Sequence, residues 1–180
     1  MKIRARIAKG EAVRFISHLD FAGAVEKAVR RAELPLALSR GFTPRLKISF
    51  ASALALGATS EAEYADFELE TRISVSEFVR CLNQQLPEGI EILAAAQVAA
   101  NAPSLMAKVC AASYRVTAKL PPAAEGRSEC LWNRFLQQDE IVITKITKRR
   151  TRQVDIRPLV LRTRFYPRPG DSRWDLLVAT

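Results

Sequence analysis

The sequence predicts an α+β protein. Its N-terminal half is ferredoxin-like (βαββαβ) with an antiparallel sheet, and a second half begins the same pattern without a clear closing helix. Three observations predict this. Apolar and polar residues alternate with period 2 in short runs, at residues 2–7, 46–50 and 64–70, the mark of half-buried strands. Between them stand two stretches with apolar residues at helical spacing, each opened by a serine. The resulting order over residues 1–95 is strand, helix, strand, strand, helix, strand, which puts both helices on one face of the sheet and leaves the other free to bind.

The elements follow in order. Lys2, Arg4 and Arg6 alternate with Ile3, Ala5 and Ile7 in a first strand, which Val13 to Ile16 are expected to continue after a turn at Lys9-Gly10-Glu11. Ser17 caps a helix, with Asp20 three positions on as in a capping box. Leu19, Ala22, Val25, Val29 and Ala32 form its apolar stripe, and Pro35 ends it. Leu36 to Ser39 starts a short strand, Gly41 and Pro44 turn the chain, and Leu46, Ile48 and Phe50 alternate in the next strand. After the strand at Tyr64 to Leu69, Ser74 or Ser76 caps a second helix with Phe78, Val79 and Leu82 inward. Ile90, Ile92 and Leu93 open a fourth strand.

The expected division is 1–95 for the first half, 96–110 for an alanine-rich connection, and 111–180 for a strand-rich, strongly basic second half. There, Ala111 to Leu120 alternates as a strand, Pro121 to Gly126 is a loop, and Ser128 to Gln138 is a helix. Ile141 to Ile146 is a strand, Thr147 to Arg152 a basic turn, and further strands follow to Val178.

Composition narrows the function. Among 180 residues, 28 Lys and Arg against 19 Asp and Glu give a formal net charge of +9, which favours a polyanionic partner such as nucleic acid or a ribosomal surface. With 48% hydrophobic residues the chain can build a core and is no disordered tail. Cys81, Cys110 and Cys130 are too far apart for a Cys-x-x-Cys metal or redox pair, and such sparse cysteines suit the cytoplasm. The start is no signal peptide, and no run reaches the roughly 18 apolar residues that span a bilayer. No P-loop, Gly-x-Gly-x-x-Gly or Ser/His/Asp set is present, so no cofactor is expected.

Two regions concentrate chemistry. Between Lys145 and Arg168 lie Lys148, Arg149, Arg150, Arg152, Arg157, Arg162 and Arg164, with Asp155 as the lone acid. Arginine suits bidentate contact with phosphate, and Arg162 and Arg164 share a strand face. The other region surrounds the first helix. Its strand–helix–strand connection is expected to bring Arg14, His18, Arg40, Arg45 and Lys47 around one end of the sheet, in a groove for an anion. Phe42, between arginines, suits base stacking on a single strand. His18 could serve as general acid or base in metal-independent RNA cleavage, though no partner residue stands near it in sequence.

Several of these segments, taken together, resemble the radical-SAM-associated domain family of unknown function: Arg14-Phe15-Ile16-Ser17-His18-Leu19-Asp20, Arg30-Arg31-Ala32-Glu33-Leu34-Pro35, Gly41-Phe42-Thr43-Pro44-Arg45 with Lys47-Ile48-Ser49-Phe50, Ser60-Glu61-Ala62-Glu63-Tyr64, and Val154-Asp155-Ile156-Arg157-Pro158. Members occur alone or behind a radical SAM enzyme, and stand-alone ones often lie near a ribonuclease of the E/G type. That family has no established activity to carry over; the net charge, the arginine-dense second half and the resemblance together give the expectation of a non-catalytic accessory protein that binds RNA or a ribonucleoprotein and assists a radical SAM protein in trans. This chain has no Cys-x-x-x-Cys-x-x-Cys to hold the cluster itself. The alternative is the metal-independent endoribonuclease using His18, similar in architecture alone to the paired ferredoxin-like ribonucleases that process CRISPR repeat RNA.

Overall fold

The protein is described here by a computed structural model covering residues 1–119, 127–147, 150–166 and 171–179. The chain divides into two compact units, Met1–Lys108 and Val109–Thr180. The first holds β1 (Lys2–Lys9), α1 (His18–Arg31), β2 (Ile48–Phe50), β3 (Ser60–Glu68), α2 (Val75–Asn83), β4 (Ile90–Val98) and a short α3 (Leu105–Lys108). Its sheet runs β2-β3-β1-β4 with every pairing antiparallel, the ferredoxin-like arrangement the sequence predicts.

Alternation makes the core. Ile3, Ala5 and Ile7 of β1 and Ala65 and Phe67 of β3 turn one way and bury against Phe21, Val25, Ala28 and Val29 of α1 and Phe78 and Leu82 of α2. The Phe67 and Phe78 rings meet edge to face at 5.1 Å, a favoured geometry for aromatic pairs. Ser17 caps α1 by accepting from the Asp20 amide at 3.2 Å, and Ser74 caps α2 by accepting from the Glu77 amide at 3.1 Å. The cap sets the phase of the helix. It brings Phe21 and Ala28 inward and leaves Leu19, expected in the apolar stripe, 80% exposed.

Two boundaries and one face differ from expectation. After Lys9 the chain leaves the sheet in a 3-10 turn at Glu11–Val13, so Val13 to Ile16 do not extend the strand. The cause is local: the Gly10 amide donates to the Gly89 carbonyl at 2.7 Å, and Gly89 holds φ +87, which an L side chain rarely adopts. Residues 36–39 make only isolated bridges, Leu36 to Leu69 and Leu38 to Leu46. The sheet face opposite the helices is also not wholly free. Arg4 Nη2 donates to the Pro103 carbonyl at 3.2 Å, and Leu105 of α3 is buried, so the segment after β4 roofs one end of that face.

The second unit contains β5 (Ala111–Lys119), α4 (Ser128–Leu136), β6 (Val142–Ile146), β7 (Thr151–Asp155), β8 (Val160–Tyr166) and β9 (Asp171–Ala179). The strands form an antiparallel sheet ordered β5-β9-β8 and a separate β6-β7 hairpin. A 3-10 turn at Arg157–Leu159 stands where a second helix would complete the pattern. The loop expected at Pro121 to Gly126 lies outside the described residues.

Candidate nucleic-acid interface

The β6-β7 hairpin concentrates positive charge. Antiparallel register sets Lys145 directly opposite Arg152. Like charges in that position repel and destabilise a strand pair. Arg150 follows the turn; its amide donates to Thr147 Oγ1 at 3.1 Å and its carbonyl accepts from the same hydroxyl at 2.7 Å. Lys148 and Arg149, between them in sequence, lie outside the described residues. Lys145, Arg150 and Arg152 are exposed, and among the described residues no salt bridge involves any of them.

The acid three residues after Arg152 is otherwise occupied. Asp155 Oδ1 accepts from the Ile141 amide at 2.8 Å and the Arg157 amide at 2.9 Å, tying the hairpin base to the turn that follows. That explains the Val154-Asp155-Ile156-Arg157 motif as a local clamp. Arg157 itself is half-buried, its guanidinium donating to the Val160 carbonyl at 3.4 Å. It belongs to the scaffold rather than to the exposed set.

The three-stranded sheet adds a second row. Trp132 of α4 donates to Thr163 Oγ1 of β8 at 3.4 Å, which fixes the face that α4 covers. Arg162 and Arg164 alternate with Thr163 and so point to the other face, as expected. There the register flanks Asp175 of β9 with Arg115 on one side and Arg164 on the other, and Arg115 Nε meets Asp175 Oδ1 at 3.1 Å. Lys119 shares the Arg115 face. Sequence reading had singled out neither Arg115 nor Lys119 as a site, although the alternation of β5 aligns them.

In the first unit the expected cluster is sorted into two places. Arg40, Phe42 and Arg45 form the tip of a small hairpin closed by Ser39: its amide donates to the Arg45 carbonyl at 2.8 Å, and its hydroxyl accepts from the Arg45 amide at 3.0 Å. Gly41 takes φ +143 there, and Phe42 is fully exposed. Lys47, just past the hairpin, pairs with Glu68 at 3.0 Å. His18 instead sits at the other end of β2, its ring edge-on to Phe50 at 5.4 Å. Its Nδ1 is buried without a hydrogen-bond partner, so no carboxylate or carbonyl orients the ring through that atom as a general base would need. Arg14 is held by Glu11 at 2.8 Å and lies 4.6 Å over the Phe15 ring.

A buried ion pair fixes the roofed end of the first sheet. Asp66 of β3 receives Arg4 through Nε at 2.7 Å and Nη2 at 2.9 Å, and Lys2 at 3.2 Å. Burial pushes the Asp66 carboxyl up, but the hydrogen bonds from Arg4 and Lys2 and their charges outweigh it and hold the group below its usual range. Among the described residues no group of three or more His, Cys, Asp or Glu is gathered as a metal site.

Across this whole architecture, the family model described as an uncharacterized protein conserved in bacteria (DUF2344) matches residues 2–179. The chain belongs to the DUF2344 family. A comparison with curated proteins finds no match. The DUF2344 description names no reaction and no radical SAM enzyme. No helix among the described residues is long and apolar enough to cross a membrane.

Proposed function

We infer that this DUF2344 protein is a non-catalytic accessory factor that binds RNA or a ribonucleoprotein and works beside a radical SAM protein. The observation that carries the RNA part is the opposition of Lys145 and Arg152 on an exposed hairpin, with Arg150 beside them and, among the described residues, no acid paired to any of the three. A polyanion relieves that repulsion, and phosphates spaced along a strand are its natural form. The radical SAM association is supported by the sequence resemblance.

Binding to a single-stranded RNA is expected to weaken steeply with salt, by roughly 0.7 in log–log slope per phosphate neutralised. Replacing Lys145, Arg150 and Arg152 together with alanine is expected to flatten that slope by about 2, taking one phosphate per residue. Fluorescence anisotropy over a salt series checks this, and an unchanged slope removes the hairpin from the interface. The same samples decide on catalysis. RNA incubated in chelator with stoichiometric protein is expected to stay intact; cleavage to cyclic phosphate ends that disappears in His18→Ala would establish the nuclease instead.

A further inference from the structure

The first sheet has a face turned away from α1 and α2, and its two ends differ. At one end Lys2 and Arg4 are paired with Asp66 beneath Pro103 and Leu105. At the other, Arg6 of β1 and Tyr64 of β3 are direct cross-strand partners and both are exposed, the tyrosine by 37%. Among the described residues no salt bridge involves Arg6. On the other side of Arg6 the register places Ala94, and next to it Ala96 opposite Arg4. Both alanines are exposed. Glu91, opposite Ala8, stands at the margin on the β4 side, and Glu61 and Glu63 stand beyond Tyr64 on the β3 side.

These residues make a flat place with one aromatic ring. Directly opposed side chains lie about 5 Å apart, so the Tyr64 ring and the Arg6 guanidinium act on one bound group together. Side chains as small as Ala94 and Ala96 let a planar group come close to the sheet. An unpaired guanidinium beside an accessible aromatic is the pairing that holds a nucleotide, with the ring under the base and the cation on the phosphate.

We propose that Arg6, Tyr64 and Ala94 form a binding site for single-stranded RNA, in which one unpaired base stacks on Tyr64 and Arg6 contacts the adjoining phosphate. The site rests on the RNA-binding function inferred above and adds to it a preference for single strands. Bases of a duplex are already stacked on one another and cannot offer a face to the ring.

The test uses the whole chain and two fluorescein-labelled probes, an unstructured RNA and its duplex, at fixed salt. Tyr64→Ala is expected to weaken single-strand binding at least about five-fold, the lower end of what loss of one stacked base costs. Tyr64→Phe, which keeps the ring, is expected to bind as the wild type does. Ala94→Glu, which sets a carboxylate against Arg6 on the exposed face, is expected to weaken single-strand binding as well. Duplex binding is expected to be unchanged by Tyr64→Ala and Tyr64→Phe. If Tyr64→Ala melts early, Ala94→Glu decides. Unchanged single-strand affinity in both, with wild-type binding intact, overturns this site alone. Equal losses on single strand and duplex in Tyr64→Ala overturn the stacking. A wild-type protein that binds neither probe overturns RNA binding itself and leaves the face to a protein partner.

Discussion

Replacing Asp66 with asparagine is expected to cost about 3 kcal/mol of stability, because it leaves Arg4 and Lys2 facing each other without the carboxylate they share. The carboxylate is 3% exposed, so water replaces little of the lost attraction. For a unit of about a hundred residues that corresponds to a fall of roughly 12–24 °C in Tm. The pH dependence carries the sign. A carboxyl held below its ordinary value contributes stability that is fully present above that value, about 3.9, and is lost as pH falls through the depressed one. The gap between wild type and Asp66→Asn is therefore expected to be constant from pH 7 down to about 4 and to narrow below it. Thermal melts across that range check both parts. A gap that persists in acid would mean that shape, not charge, makes Asp66 necessary.

The second large effect is expected at Lys9, which is 1% exposed and has no carboxylate among its partners. Its ammonium donates to the Ile16 carbonyl at 3.0 Å and the Arg14 carbonyl at 3.2 Å, and so draws the turn before α1 against the end of β1. Lys9→Met fills the same space with no donor. The Arg14 carbonyl keeps the Gly57 amide at 2.9 Å, but the Ile16 carbonyl loses its ammonium donor, and the expected cost is about 2 kcal/mol. Hydrogen exchange is expected to quicken first in residues 10–18, which denaturant melts alone would not reveal. Uniform loss of protection across the unit would instead make Lys9 part of the global core.

Much of the first unit was legible in the sequence because its signals are local. Alternation in Lys2 to Ile7 and the serine caps at Ser17 and Ser74 depend on neighbours a few residues away. The inward turn of Phe21 in place of Leu19 was not legible by inspection, since one step in helical phase decides it. Lys9 looked like a turn residue; only the fold brings the two carbonyls that accept its charge. The candidate site shows the same division. The alternation of Arg162 and Arg164 can be read along one strand. The opposition of Lys145 and Arg152, and the pairing of Arg6 with Tyr64, are matters of register between strands. Lys47 and Arg157 illustrate the converse, because positive residues that look available in sequence find Glu68 and a carbonyl in the fold.

The place of β1 has a consequence for how the chain is made. β1, synthesised before both of its partners, lies in the middle of its sheet, bordered by β3 on one side and β4 on the other. Lys2 waits for Glu68 and then for Val98 before both its edges are paired. Contacts so distant in sequence close long loops and slow folding. The nascent first unit therefore keeps an open strand edge until Val98 has been synthesised. During that interval the charged residues along β1, Lys2, Arg4 and Arg6, are what discourage its edge from pairing with another chain.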